Sequence, residues 1–92
     1  MNTIRRLVVP QHVVSRQVGD TVVVLDLQQD KYFGLPKVGA RIWELLSQGC
    51  DVSQIVEKVA LEYDVSAPVA SADTHALIEQ LIDERLLLRV SD

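Results

Sequence analysis

The feature that most constrains this chain is a change of hydrophobic period at Pro36. Before it, residues 12–35 alternate between two faces or run through β-branched side chains. After it, residues 37–86 place their apolar side chains at helical spacing. Period two marks a strand with two faces, whereas i, i+3, i+4, i+7 spacing marks a helix with one apolar stripe. Strands grouped ahead of helices, rather than interleaved with them, predict an α+β domain.

The strands are short, and turn residues separate them. The first is His12–Val18, ended by Gly19-Asp20. The second is Thr21–Leu27. Its odd-numbered face, Val23, Leu25 and Leu27, is wholly apolar, and its other face carries Val22, Val24 and then Asp26. Gln28-Gln29-Asp30 makes the second turn. The third strand is Lys31–Leu35, with Tyr32 and Gly34 pointing one way and Lys31, Phe33 and Leu35 the other. Connections this short join neighbours antiparallel. The third strand is then an edge of a three-stranded meander.

Pro36 stops the sheet and suits the first turn of a helix. The first helix is expected over Lys37–Gln48, with Val38, Ile42, Leu45 and Leu46 on one face and Trp43 beside Leu46. Gly49 is its C-terminal cap. Asp51 and Gln54 form a capping box for a second helix over Val52–Tyr63, with Cys50 and Ile55 placed as a hydrophobic staple. Ser66-Ala67-Pro68 opens a third helix reaching about Arg85. Its apolar stripe is Leu77, Ile78, Leu81, Ile82 and Leu86, and His75, Glu79 and Asp83 form a polar row. Leu87–Val90 suits a short last strand or wing. A three-stranded antiparallel sheet followed by three helices resembles a winged helix-turn-helix. Residues 1–11 are read as an N-terminal arm and residues 12–92 as one domain.

Composition excludes several classes of function. The net charge is −4, and the nine Lys and Arg residues form no run. That is the opposite of the basic footprint of a nucleic-acid binder. No apolar run approaches the ~20 residues of a membrane helix. Arg5-Arg6 is followed by only Leu7, Val8 and Val9 before Pro10, too short for the apolar core of a signal peptide, so a cytoplasmic protein is expected. With Cys50 as the only cysteine, no internal disulfide is possible.

No catalytic or metal-binding set assembles. His12 and His75 are both expected to face solvent, and Cys50 to pack. A common metal site needs three or four closely spaced ligands, and a nucleophile needs an oriented base. Gly34 and Gly39 lack the spacing and the lysine of a phosphate loop. Neither a cofactor nor a metal is expected. Gly39, inside a helix, costs ~1 kcal/mol relative to alanine, which implies close approach by another backbone or by Trp43. Glu79, Asp83 and Glu84 suit a solvated helix face.

The third strand carries more information. An unblunted edge is a template for pairing, and a peptide can add to it as a further strand. The residues alone leave two readings open. The edge is available, or it is covered by the chain's own residues 3–9 or by a dimer mate.

The run Asp26-Leu27 … Tyr32-Phe33-Gly34-Leu35-Pro36-Lys37-Val38-Gly39-Ala40-Arg41-Ile42-Trp43 resembles the PqqD-like proteins, also called RiPP recognition elements. The likeness extends through Leu77-Ile78-x-x-Leu81 … Leu86-Leu87. One departure is Pro36, where the family usually has Asn, Ser or Asp. The resemblance implies a winged-helix-like fold that binds no DNA and catalyses nothing. It implies instead that the leader region of a precursor peptide adds as a strand to the third strand and rests on the third helix. Carried over by position, the clamp is Lys31, Tyr32, Phe33, Gly34 and Leu35, with Ala76, Leu77, Gln80, Leu81 and Glu84. The opening Pro10-x-His12-Val13 is most similar to the discrete recognition proteins of lasso-peptide biosynthesis. The implied partners there are a leader peptidase of the cysteine-protease type and a macrolactam cyclase. A peptide chaperone of pyrroloquinoline quinone biosynthesis is the alternative, and a winged-helix DNA-binding regulator the remote one. Homodimerisation by edge pairing stays open.

Overall fold

A computed structural model describes residues 5–91. The element order is β1 (Arg5–Val8), β2 (Val13–Val18), β3 (Thr21–Asp26), β4 (Lys31–Pro36), α1 (Val38–Ser47), α2 (Val52–Glu62), α3 (Ala67–Asp83) and β5 (Leu88–Ser91). Strands β2, β3 and β4 form the expected antiparallel sheet, in that order. Residues 5–8 of the arm are themselves a strand, paired antiparallel with β5 in a separate two-stranded ribbon. The expected terminal strand is therefore present, and the arm is its partner.

The sheet register decides which face is buried. Val13 faces Asp26, and Asp26 faces Lys31; Val24 faces Phe33; Val22 faces Leu35. This even-numbered face of β3 packs on the helices: Val22, Val24 and Asp26 are buried, as are Val13 and Leu35. The wholly apolar odd face looks outward instead, with Leu25 36% and Leu27 64% exposed. Asp26 tolerates burial because Oδ1 accepts hydrogen bonds from the backbone N–H groups of Gln28 (2.9 Å) and Gln29 (3.0 Å), closing the turn between β3 and β4. His12, expected in solvent, is half-buried, its Nε2 3.9 Å from Asp26 Oδ1.

The first helix begins later than the sequence suggests. Pro36 is the last residue of β4, not part of a helix, and Lys37 is the N-cap with φ 50 and no side-chain capping bond. A proline at a strand end leaves no donor to pair there, and the chain turns sharply at Lys37. All three helices then close alike. Cys50 N–H bonds Leu45 C=O, Val65 N–H bonds Ala60 C=O, and Leu86 N–H bonds Leu81 C=O. The turning residue is Gly49 in the first case but Asp64 and Arg85 in the others, at φ 88, 52 and 63. The predicted capping box of α2 forms in full.

The core joins Ile42, Trp43, Leu45 and Leu46 of α1, Ile55 and Val59 of α2, Ala70, Ile78 and Leu81 of α3, and Leu86 and Leu87. Burying a side chain of this size contributes ~1.5–3 kcal/mol. No helix among the described residues is long and apolar enough to cross a membrane.

Candidate functional site

Nothing among the described residues pairs with the outer edge of β4. Residues 5–8, one candidate cover, are committed to β5; residues 3 and 4 lie outside the described residues. Which backbone groups face out follows from two bonds that extend the ladders. Lys37 N–H donates to Asp20 C=O (3.1 Å), so the odd residues of β4 point their N–H and C=O toward β3. Leu27 N–H donates to His12 C=O (2.8 Å), which requires the same alternation. The free edge therefore offers the N–H and C=O of Tyr32 and Gly34 and the C=O of Pro36.

On the inner side this edge runs beside α3. Both elements pack on α1 but scarcely on each other, which leaves a groove with α1 as its floor. Gly39 forms that floor. A Cβ there would lie 3.5 Å from Leu35 Cβ and 3.8 Å from Leu77 Cδ2. The expectation of a backbone or of Trp43 against Gly39 is thus corrected: the neighbours are the side chains of Leu35 and Leu77, one from each wall. Trp43 lies in the core instead, 2% exposed.

The ten residues carried over by position separate into four environments. Phe33 and Leu35 face inward, Phe33 half-buried against the core and Leu35 9% exposed. Lys31, Tyr32 and Gly34 are exposed, and Tyr32, at 72%, stands on the outer face of the sheet. On α3, Leu77 is half-buried beside Gly39, and Gln80 and Glu84 follow it along the same flank at i+3 and i+7. Ala76 is exposed on that flank too. Leu81 is 2% exposed and belongs to the core under the groove. Gly39, between Leu35 and Leu77, is the neighbour of these candidate residues that sequence reasoning did not include among them, although its cost inside a helix was a legible signal.

Two other concavities exist. One, of about 340 Å³, lies between β2 and α1 and includes Gln17, Lys37, Arg41 and Trp43. The other, of about 690 Å³, lies between β1 and the α1–α2 junction and includes Leu7, Val9, Leu46 and the half-buried Cys50. Neither gathers three or more His, Cys, Asp or Glu side chains able to hold a metal, nor does any other group among the described residues.

An open sheet edge whose chief polar feature is its main-chain groups is the kind of surface to which an extended chain can add as a strand. The family model described as coenzyme PQQ synthesis protein D (PqqD) matches residues 21–87. The chain belongs to the PqqD family, the RiPP recognition elements, which are non-catalytic proteins. Among solved structures it is similar to TbiB1 in complex with the TbiA(beta) leader peptide. The two are 38% identical with a TM-score of 0.85, over 91% of this chain and 98% of that one. The lasso peptide synthetase B1 complexed with the leader peptide has the same fold, at 23% identity and a TM-score of 0.83 over 90% of this chain and 98% of that one. No curated protein matches the chain.

Proposed function

We propose that this chain binds the leader region of a ribosomally made precursor peptide by adding it as a strand to β4, in the groove between β4 and α3. The observation that carries this is the free edge at Tyr32 and Gly34, lying beside the Leu35–Gly39–Leu77 floor. The relative TbiB1, 38% identical, is complexed with a leader peptide. Main-chain bonds at ~1 kcal/mol each and one or two buried side chains at ~2 kcal/mol each offset the ordering of the guest and the ~4 kcal/mol or more lost on association. Nanomolar-to-micromolar affinity is the expectation, and it requires a net gain of about 8–12 kcal/mol, so side-chain burial must exceed this minimum. No chemistry is required of the module, which presents the guest to separate enzymes.

The finer reading is lasso-peptide biosynthesis, with a cysteine-type leader peptidase and a macrolactam cyclase as the enzymes served. It is supported by the opening Pro10-x-His12-Val13. The second reading, a peptide chaperone of pyrroloquinoline quinone biosynthesis, is favoured by the description of the matching family model. Gene neighbourhood separates them: a short precursor gene beside cyclase and protease genes supports the first, a radical-enzyme gene the second. The binding claim is tested by calorimetric titration with the neighbouring precursor's leader. Sub-micromolar to micromolar binding is expected, and Kd unchanged in both Tyr32→Ala and Phe33→Ala would remove the β4 site.

A further inference from the structure

Gly34 is the residue of β4 whose identity the unbound chain leaves unexplained. Its φ lies outside the left-handed region that glycine alone enters easily. A Cβ placed on it would meet only Thr21 Cγ2, at 3.9 Å, an ordinary contact. Yet an interior glycine weakens a strand, and such a glycine often marks close approach by a ligand or another chain.

Its surroundings indicate what approaches. Gly34 sits on the outer face of the sheet, opposite Val23, with Tyr32 and Pro36 on either side along the strand and Arg16 beyond Val23. That face is apolar and open: Val14 is 42%, Val18 58%, Leu25 36% and Tyr32 72% exposed. The missing side chain leaves a notch in it, beside Val23 across the ladder and with Thr21 Cγ2 as its nearest side-chain atom. Gly34 is also at the centre of the free backbone edge. Any peptide pairing there puts every second side chain on the outer face, whichever way it runs, and facing side chains on paired strands are close neighbours.

We infer that the notch at Gly34 is a side-chain subsite for the bound peptide. It takes one large apolar or aromatic residue, laid across Gly34 toward Val23 between Tyr32 and Pro36. This rests on strand addition at β4 and adds a specificity element on the face turned away from the helices. A large side chain across a bare glycine restores the contact that the strand lacks. The surroundings are apolar, with Arg16 the one charge among the paired residues of this face, so an apolar guest residue fits better than a charged one.

The test selects random linear peptides on the wild-type chain, then remakes the best binder with its residue beside Gly34 changed to Ala. Hydrogen exchange by NMR identifies strand addition through protection of the Tyr32 and Gly34 amides. The expected result is enrichment of Phe, Tyr, Trp or Leu at one position and at least about tenfold weaker binding of the Ala peptide. Gly34→Val, with Gly34→Ala as the milder variant, should keep the circular dichroism of the parent and lose the preference for the large residue. Protected amides with equal affinity for both peptides would overturn the notch and leave strand addition standing. Unprotected amides, or no selected binder, would overturn both. Gly34→Val that abolishes self-association but leaves peptide affinity unchanged would assign the face to a second copy and also overturn the proposal.

Discussion

Arg41 of α1 and Glu62 of α2 meet in a two-pronged ion pair, Nε to Oε1 and Nη2 to Oε2, each at 2.8 Å. Arg41 Nη1 also reaches Glu44 Oε1 at 2.6 Å. The hydrogen bond from Arg41 is the main cause that holds the Glu62 carboxyl below its ordinary range, and the bond from Glu62 raises the Arg41 guanidinium in turn.

A lowered carboxyl stabilises the fold above its unfolded value, and the contribution disappears as pH falls through the folded one. Both side chains are partly exposed, so water screens the pair and limits it to under ~1 kcal/mol. Glu62→Gln is expected to lower the urea midpoint at neutral pH. The parent and variant midpoints should converge below the ordinary carboxylate range. A gap that persisted unchanged into strong acid would show that charge is not its source.

Asp26 makes a different prediction. Its Oδ1 takes two backbone donors, while its buried Oδ2 has no hydrogen-bond partner among the described residues. Asp26→Ala leaves the N–H groups of Gln28 and Gln29 without their acceptor and should cost ~1–3 kcal/mol. Asp26→Asn keeps an acceptor and should cost less. Thermal denaturation of the two variants decides it, and equal losses would mean that the turn bonds contribute nothing.

Phe33 and Tyr32 are adjacent and should behave differently. Phe33 is half-buried against the core and Tyr32 is 72% exposed. Phe33→Ala should lose roughly 1–3 kcal/mol of stability, whereas Tyr32→Ala should change stability by less than ~0.5 kcal/mol. Both should weaken peptide binding in calorimetry while the helical circular dichroism persists. A large stability loss in Tyr32→Ala would contradict its outward placement.

Arg85 turns the chain at the end of α3 with φ 63. A left-handed conformation costs a non-glycine residue ~1 kcal/mol or more, and glycine is the usual occupant of this position. Arg85→Gly is therefore expected to raise stability by ~0.5–1 kcal/mol in chemical denaturation. A loss would mean that the arginine side chain stabilises the fold in some other way.

The acidic surface carries a class-level expectation. A chain of net charge −4 should show no tight, steeply salt-dependent affinity for duplex DNA in fluorescence anisotropy. Such an affinity would support the regulator reading instead.

Local chemistry alone determined much of this molecule. The change of period at Pro36, the Gly19 turn, the Asp51–Gln54 capping box and the Gly49 cap act over a few residues, so the sequence holds all the information they need. The same is true of the alternation that sets Tyr32 and Phe33 on opposite faces of β4. What no local rule decides is which face of the sheet meets the helices. The odd face of β3 is the more apolar, yet the even face is buried, because Phe33 and Leu35 must share a side with Val24 and Val22 and a turn can satisfy Asp26. Nor could spacing show that residues 5–8 would pair with residues 88–91 and leave the β4 edge open. That contact joins the two ends of the chain, and its partner is set by where the helices carry Leu88. Gly39 follows the same logic. Its cost inside a helix was plain from the sequence, but its neighbours, Leu35 on one side and Leu77 on the other, exist only once β4 and α3 are folded onto α1.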